Sequence, residues 1–510
     1  MKKTIRVFAL LMCIVLAFSA FTACEETTTS TSDPVSGTSD GSATNESSFN
    51  DDVGFFGYEI PDGVNYNGKT VRVLTLAQYQ IKPECNPEYS SEDASAVISA
   101  ASECTRKVEQ LLGVEVEEEG ISTGARYGGP FYKRIHTDAM SSTADYLFIM
   151  PALTEAAMLA SEGMLYDMNE VVDLSNPWWC EAFNDAVTIA GKTYFVSGDI
   201  TTIGLATTMF VAFNKELEKK HGLAEKYGYS SLYEMVDKNA WTQDVMFEMA
   251  KTVYVDSNEN LMADPDDIVG LSAQNNVVYW LLRSGGINVC TLDEDGYPEL
   301  TVKNERAISL ITKAQEFCQD PVAGIIIADD YSGSGLPVNP CTQAFIDGRG
   351  LFFFNALTAF DVIRTMEDDF GVLPCPKFDS TQENYSCNVG AWTCSGICIP
   401  TSVPESELEL ATHFLESLGA VSRKELTPTY YEQTLQYQVS RDSESMRMLD
   451  IINSNRAPDL SEMYRWGKMM QTIADLRQAP IGTFVSAYDA IDEQTILEIE
   501  ETVESFKNQK

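Results

Sequence analysis

The first part of the chain alternates between short runs with strand periodicity and longer stretches with helical spacing. Residues 70–76 alternate in the manner of a strand, and a second such run begins at Val114. Between them, apolar positions within 94–112 fall on one helical stripe, which a capping box at 90–93 opens and Gly113 ends. A strand, a helix and a strand of these lengths predict a right-handed crossover in a parallel sheet.

A third strand of this unit is predicted at residues 146–150, which are apolar without interruption. Pro151 and an alanine-rich helix that runs to Ser161 follow it directly. Ligands of such sheets bind beyond the carboxyl ends of the strands. We therefore expect the loops at 75–79 and 150–153 to border a cleft.

A second α/β unit is predicted from residue 207 onward. Residues 207–213 are almost all apolar, which suits a strand covered on both faces, and Asn214 then caps a helix. Residues 345–354 form a turn that feeds another buried strand, and Asn355 stands where that strand emerges. Helical periodicity fills the stretches between these strands and dominates after residue 405.

Two adjacent tryptophans, Trp178 and Trp179, follow a proline near the junction of the two units. Neighbouring side chains point apart on a regular strand or helix, so we expect one of these rings to face a cleft. Residues 190–192 predict a tight hairpin turn, and the Gly198-Asp199 pair then places a carboxylate at a bend. Asp199 is therefore the leading polar candidate for ligand binding.

The composition excludes several partners. The chain carries 76 acidic and 35 basic residues, a net charge of −41, which repels nucleic acid and anionic lipid, so we expect neither as a partner. The acidity favours a solvated surface, with cationic ligands as the alternative. The three histidines are isolated and the cysteines are scattered, so no zinc site is expected, and disulfide pairing stays open. The residues after 55 are too many for one core and predict two domains.

The N-terminus has the form of an export signal. Basic residues precede an apolar run at 7–21 that is too short for a membrane span. The run ends in FTAC, which resembles a bacterial lipoprotein cleavage box although phenylalanine stands where leucine is usual, so we predict a lipid on Cys24. The alternative is cleavage near Ala20 or Ala23, which gives a freely secreted protein. The polar stretch that follows predicts a flexible tether.

An acidic loop between residues 256 and 267 matches part of a calcium-loop pattern. Oxygen-bearing side chains alternate along it, as a chain winding round a hard cation requires, and a carboxylate ends it. Leu261 departs from the pattern because the sharp turn favours glycine, and the last carboxylate is an aspartate rather than the usual glutamate. The loop predicts either a calcium site or a plain acidic turn. The predicted ligands are Asp256, Asn258, Asn260, the Met262 carbonyl, Asp264 and Asp267.

Several segments together resemble the extracellular solute-binding proteins of ABC importers, in the large carbohydrate-binding class that includes the maltose-binding proteins. The order of the segments carries the resemblance, and it spans nearly the whole mature chain. They are PWW with GKTYFVSGD, FNKELEKKHGL, LYEMVDKNAWTQDVMFEMAKTVY, FIDGRGLFFF and DDFGVLPCPKFDSTQENY. Calcium-type loops recur in these relatives at the point where this chain has its acidic loop.

The resemblance implies a periplasmic-binding-protein-like α/β fold. In that fold two lobes, each with a central, mainly parallel sheet flanked by helices, are joined by a multi-segment hinge. We expect a monomer that requires no cofactor, apart from the predicted structural calcium. The implied division is a lipoprotein signal peptide at 1–24, a disordered tether at 25–55, lobe I at 66–206 and 386–455, and lobe II at 207–385 and 456–510.

Sugars present apolar C–H faces and rims of hydroxyls, so their sites pair flat aromatic rings with carboxylates and amides. We expect two or three of the six tryptophans to touch the solute and the others to lie in the core. The candidate ligand-binding residues are Trp178, Trp179, Asp199, Trp241, Trp280, Asn355, Tyr385 and Trp392.

The resemblance implies a non-enzymatic receptor that is lipid-anchored at the outer face of the cell membrane. It would capture an oligosaccharide between the lobes and deliver it to the transmembrane subunits of an ABC permease. The main alternative is a secreted glycosidase or lyase, since two carboxylates suffice for glycoside hydrolysis. No nucleophile elbow, zinc motif or phosphate loop in the sequence supports an enzyme. A structural or adhesive protein would show repeats, which are missing, and a binder of peptides or polyamines stays open.

Overall fold

The structure is a computed structural model. The predicted leader, tether, lipidation site and capping box lie outside the residues that it describes. Those residues are 57–76, 85, 95–121, 128–141, 143–439 and 443–509. Within them, no helix has the length and apolar character needed to cross a membrane.

The chain forms an α/β structure with two main sheets. The strands are β1 (Lys69–Leu76), β2 (Val114–Ile121), β3 (Phe148–Met150), β4 (Met209–Asn214), β5 (Val269–Ala273), β6 (Cys290–Leu292), β7 (Pro298–Leu300), β8 (Ile325–Ile327), β9 (Gly350–Ala356), β10 (Phe370–Leu373), β11 (Cys387–Asn388) and β12 (Arg456–Ala457). One main sheet is built from β1–β3 and the other from β4, β5 and β8–β10. The parts of the molecule around these two sheets are called the first and the second half.

Helices flank the sheets and make up most of the C-terminal part. The helices are α1 (Ala96–Leu112), α2 (Pro130–Ser141), α3 (Leu153–Ser161), α4 (Glu181–Val187), α5 (Ile203–Ala206), α6 (Lys215–His221), α7 (Leu223–Lys226), α8 (Leu232–Asp237), α9 (Gln243–Val253), α10 (Val277–Ser284), α11 (Glu305–Gln319), α12 (Pro340–Ile346), α13 (Phe360–Ile363), α14 (Leu408–Val439), α15 (Ser443–Ser454), α16 (Leu460–Tyr464), α17 (Met469–Asp475), α18 (Phe484–Asp489) and α19 (Asp492–Asn508). Short 3-10 helices lie at Met168–Glu170, Ala328–Tyr331, Leu357–Ala359, Glu405–Glu407 and Trp466–Lys468.

The first sheet has the order β2-β1-β3, with all strands parallel, which confirms the predicted strand–helix–strand unit in a parallel sheet. Two antiparallel bridges extend it beyond β3, from Ile149 to Cys398 and from Ile397 to Val196. Apolar cores lie on both faces of this sheet, because Val73 packs with α1 and α14 while Leu74 packs with α2 and α3. Gly113 ends α1 in a left-handed conformation with φ 64°, as its position in the sequence predicted.

The second sheet has the order β10-β4-β9-β5-β8. β5 is parallel to both β8 and β9, whereas β4 runs antiparallel to β9 and β10. Every residue of β4 is buried, which confirms the prediction of a strand covered on both faces. Asn214 ends this strand, and its side-chain oxygen accepts the amide hydrogens of Glu216 and Leu217 at the start of α6.

Three chain segments lie side by side between the two sheets. β11 pairs in parallel with β12, and Thr208, just before β4, forms an antiparallel bridge with Val389, just after β11. The amide of Gly390 donates to the carbonyl of Thr207 at 3.2 Å. The two halves are therefore joined by more than one chain segment, and a hinge at this connection stays a prediction.

The last helix packs against the first half of the molecule. Ser505 of α19 donates its hydroxyl to the carbonyl of Ser161 at 2.6 Å, and Phe506 is buried in the core that contains Leu153. This placement differs from our assignment of 456–510 to the second lobe. The apolar face of α19 packs against α3. The periodicity of α19 predicts that this face is buried but cannot specify which helix it contacts.

Candidate ligand-binding site

The expectation that Trp178 or Trp179 faces a cleft is wrong. Both rings lie in one core, with 3% and 5% of their surface exposed. The Glu416 carboxylate of α14 accepts the indole N–H of Trp178 at 2.6 Å and that of Trp179 at 3.3 Å. It also accepts the backbone amide of Asp173 at 2.7 Å and the side-chain amide of Asn176 at 3.1 Å. The two indoles therefore link the turn that carries them to α14. Because both rings are buried, neither exposes a face on which a solute could stack.

Burial raises the pKa of the Glu416 carboxyl, and the hydrogen bonds that it accepts oppose that shift. The Glu416 carboxylate accepts four hydrogen bonds from the protein, so its oxygens are already occupied and its role is structural. Glu416 was not among the residues predicted from the sequence.

Three further aromatic candidates are buried as well. Trp241 is enclosed in the core and donates its N–H to the carbonyl of Pro374 at 2.9 Å. Trp280 packs against Phe354, with 5.4 Å between ring centroids, and the Tyr385 hydroxyl is bonded to a backbone carbonyl in the interior. The polar atoms of Trp241 and Tyr385 are hydrogen-bonded inside the protein, and the Trp280 ring is packed in the same core. The expectation that these rings face a ligand is therefore corrected to a packing role.

Asp199 lies at the predicted bend but already has protein partners. Its carboxylate accepts the Thr427 hydroxyl at 2.8 Å and faces the guanidinium of Arg423 at 3.2 Å. Burial raises the pKa of Asp199, against the lowering effects of Thr427 and Arg423. The side chain is 19% exposed, so it ties the bend to α14 and leaves little of the carboxylate for a solute.

A polar cluster lies where the parallel strands of the second sheet end. Gln274 follows β5, and its side-chain amide donates to the Asn355 oxygen of β9 at 3.3 Å. Asn275, the next residue, donates its backbone amide to Asp329, just after β8, at 2.7 Å. Asp330 follows Asp329 at the same strand end. The structure thus brings the predicted Asn355 together with four polar residues that sequence reasoning missed.

Arg477 crosses over this edge from the C-terminal part of the chain. Its guanidinium donates to the side-chain oxygen of Asn275 at 3.0 Å and pairs with both Asp330 oxygens at 2.9 and 3.1 Å. The Arg477 side chain is 10% exposed, whereas the Asp330 side chain is 46% exposed. Amides, carboxylates and a guanidinium therefore converge at the carboxyl edge of the sheet, where α/β folds bind ligands.

Trp392 is the one tryptophan of this chain outside the buried class, and all six lie within the described residues. It stands in the turn after β11, which reaches the carboxyl end of β3 through the hydrogen bond from the Leu153 amide to the Cys394 carbonyl at 2.9 Å. Of the predicted tryptophans, Trp392 is the one whose position still suits stacking on a solute.

The acidic loop is closed by its own hydrogen bonds. The side-chain amides of Asn258 and Asn260 donate to Asp264 at 2.9 and 2.6 Å, and buried Asp267 accepts two backbone amides. Leu261 adopts φ 63°, the left-handed turn for which the calcium pattern favours glycine. Within the described residues, no group of three or more His, Cys, Asp or Glu side chains is arranged to hold a metal. The oxygen donors fit a hard cation, so calcium stays a prediction.

No family model matches the chain, and no curated protein is similar to it in sequence. Solved structures do match its fold. One is the galacto-N-biose/lacto-N-biose I-binding protein of a Bifidobacterium longum ABC transporter, in complex with lacto-N-biose, at 12% identity and a TM-score of 0.56 over 86% of this chain and 98% of that chain. The chain has the fold of the ABC-importer solute-binding proteins.

Two further matches cover a similar share of this chain. The cyclic α-maltosyl-1,6-maltose binding protein of Arthrobacter globiformis is 12% identical, with a TM-score of 0.56 over 86% of this chain and 99% of that chain. An ABC substrate-binding protein of Listeria monocytogenes in complex with cycloalternan is 13% identical, with a TM-score of 0.51 over 87% and 100%. The predicted fold class is confirmed.

Proposed function

We propose that this protein is a solute-binding protein that captures a carbohydrate and delivers it to the permease of an ABC importer. The observation that carries the proposal is the cluster of Gln274, Asn275, Asp330, Asn355 and Arg477 at the carboxyl edge of the second sheet. Planar amides, carboxylates and a guanidinium can each bind two adjacent sugar hydroxyls. The solved structures with this fold that bind sugars support the same proposal.

Trp392 supplies the apolar surface that a sugar ring requires. Its turn adjoins the end of β3, and Arg477 links the C-terminal segment to the ends of β5 and β8. A solute held at both places would contact both halves of the molecule and would favour the closed state, which a permease can recognise.

The test is a screen of neutral and charged oligosaccharides by thermal shift and calorimetry, followed by single substitutions. Asn355→Ala, Arg477→Met and Trp392→Ala are each expected to weaken binding by about 1 to 3 kcal/mol, since each removes a polar or stacking contact. Asn508→Ala, which changes an exposed amide on α19, is the control and should bind normally. Unchanged affinity in all three variants, or formation of a cleavage product, would contradict the proposal.

We also propose that Cys24 carries a lipid that holds the protein at the outer face of the membrane. The lipoprotein-type cleavage box and the polar tether behind it support this anchor. Membrane fractions of cells that express the wild type or Cys24→Ala should differ in content of the protein. Equal partition of the wild type and the variant, with no labelled lipid on either, would contradict the lipid anchor.

We further propose that the loop at 256–267 binds calcium as a structural clip. A ligand that binds only the native state raises stability by mass action, by about 1 to 3 kcal/mol when calcium is ten to a hundred times its dissociation constant. We expect millimolar calcium to raise the midpoint of thermal unfolding, and Asp264→Asn to abolish that rise. Asp293→Asn, in another acidic turn, should keep it. A midpoint that calcium does not move in the wild type removes the site.

A further inference from the structure

A small cavity is lined by Trp392 and by two cationic residues. Arg465 and Lys468 come from the segment between α16 and α17, and Gln471 comes from α17 itself. Two cations at one cavity stand out in a chain with more than twice as many acidic as basic residues, 76 against 35. Among the described residues, no ion pair is found for Lys468.

The backbone turns sharply where it carries the two cations. Arg465 and Lys468 both adopt left-handed conformations, with φ of 58° and 56°, and Gly467 between them has φ 55°. Residues other than glycine rarely adopt this conformation. The turn buries Trp466, whose N–H donates to Thr502 at 2.9 Å, and it leaves the cationic side chains at the cavity.

The carboxylates near the cavity are already engaged. Glu462 lines it, and its two oxygens accept the amide of Ala391 at 3.0 Å and the side-chain amide of Asn388 at 3.0 Å. Burial raises the pKa of Glu462 to about 7, so it repels an anion less than an exposed carboxylate would. Glu498 is held by the amide of Gly467 at 2.7 Å.

The cavity touches both halves of the molecule. Trp392 belongs to the turn after β11, which is hydrogen-bonded to the start of α3 in the first half, while Met470 lies in the core of the second sheet. Its volume is about 10 Å³, roughly that of one water-sized group. It can therefore take an oxygen of a ligand substituent but not a sugar ring, which would have to rest outside, against Trp392.

We propose that the solute is an acidic saccharide, whose anionic substituent binds Arg465 and Lys468 while the ring that bears it stacks on Trp392. This inference rests on the proposed function, because it specifies the chemistry of the carbohydrate. Cationic side chains bind carboxylate or sulfate oxygens through charge-assisted hydrogen bonds, which are stronger than those to neutral hydroxyls.

The experiment compares matched ligands by calorimetry with the purified mature protein. The probes are trisaccharides of galacturonic, glucuronic and mannuronic acid, each beside its neutral methyl ester, together with a 6-O-sulfated galactotriose beside plain galactotriose. One charged member should bind about 10- to 100-fold more tightly than its neutral partner. Lys468→Gln and Arg465→Gln should each shrink that ratio, and added salt should weaken only the charged ligand. Lys238→Gln, at an exposed position elsewhere, is the control and should leave the ratio unchanged.

The binding results distinguish failure of the acidic-saccharide inference from failure of the proposed function. Equal binding of a charged ligand and its neutral partner, with no effect of Lys468→Gln, overturns the acidic saccharide and leaves carbohydrate binding standing. A preference for the sulfated or the carboxylated series identifies the substituent. Binding of none of the saccharides, charged or neutral, overturns both proposals.

Discussion

Replacement of Trp178 by alanine is expected to lower the free energy of unfolding by about 3 to 5 kcal/mol, the usual cost of emptying a packed aromatic position. The indole and the Tyr58 ring pack in a T-shaped arrangement, with 6.4 Å between centroids and 84° between the ring planes. α14 comes so close that a Cβ added at Gly419 would stand 2.4 Å from the indole. Alanine would therefore leave a cavity and would remove one of the hydrogen bonds that Glu416 accepts. Urea unfolding followed by circular dichroism measures the loss.

Trp392→Ala is the matched control, because it removes the same side chain from a partly exposed position. We expect it to change stability by less than about 1 kcal/mol while it weakens solute binding. Trp178→Ala should show the opposite pattern, with lower stability and near-normal affinity in the folded fraction. A Trp178→Ala protein that is as stable as Trp392→Ala, yet fails to bind the solute, would restore the stacking role that we first predicted.

The incorrect prediction for the tryptophan pair has a definite physical origin. The rule that neighbouring side chains point apart holds for regular strands and helices, but Trp178 lies in a turn and only Trp179 forms a bridge, with Gly198. Their common partner, Glu416, is 238 residues beyond Trp178 in the chain. No local pattern links such distant residues, although two glycines in close contact with the rings, Gly198 and Gly419, carried a signal.

Features that depend on local sequence were predictable. Asn214 and Gly113 cap their helices as expected, since a cap depends on a few neighbouring residues. The position of Asn355 at a strand end followed from the apolar run before it. Its surroundings did not, because Arg477 reaches Asn275 across 202 residues of sequence. The sequence therefore predicted where the strand ends, but the side chains that meet there depend on the tertiary fold.

A buried ionic network fixes the segments that join the two halves. The Arg283 guanidinium of α10 donates to the carbonyls of Ala457 and Pro458 at 2.9 and 3.1 Å, and to the Asn388 side chain at 3.3 Å. It also lies 3.5 Å from the Asp459 carboxylate, and both side chains are 0% exposed. One cation therefore holds both β11 and β12, whose pairing forms part of the connection between the sheets.

Replacement of Arg283 by methionine, which has a similar length but no charge, is expected to cost about 3 to 5 kcal/mol near pH 7.5, because it leaves Asp459 buried without its counter-ion. The cost should be smaller near pH 5. Burial already holds the pKa of Glu462 at about 7, above its ordinary 4.5, and Arg283 opposes that shift. A carboxyl with a raised folded-state pKa binds more protons when folded, so its contribution to stability falls as pH rises from 4.5 to 7, and the fall steepens without Arg283.

Thermal unfolding at both pH values measures the difference. The control is Arg72→Met, in an exposed pair with Glu117, and it should cost less than about 1 kcal/mol. A loss for Arg283→Met no larger than that of the control, or one that is equal at both pH values, would show that the network does not stabilise the connection in this way.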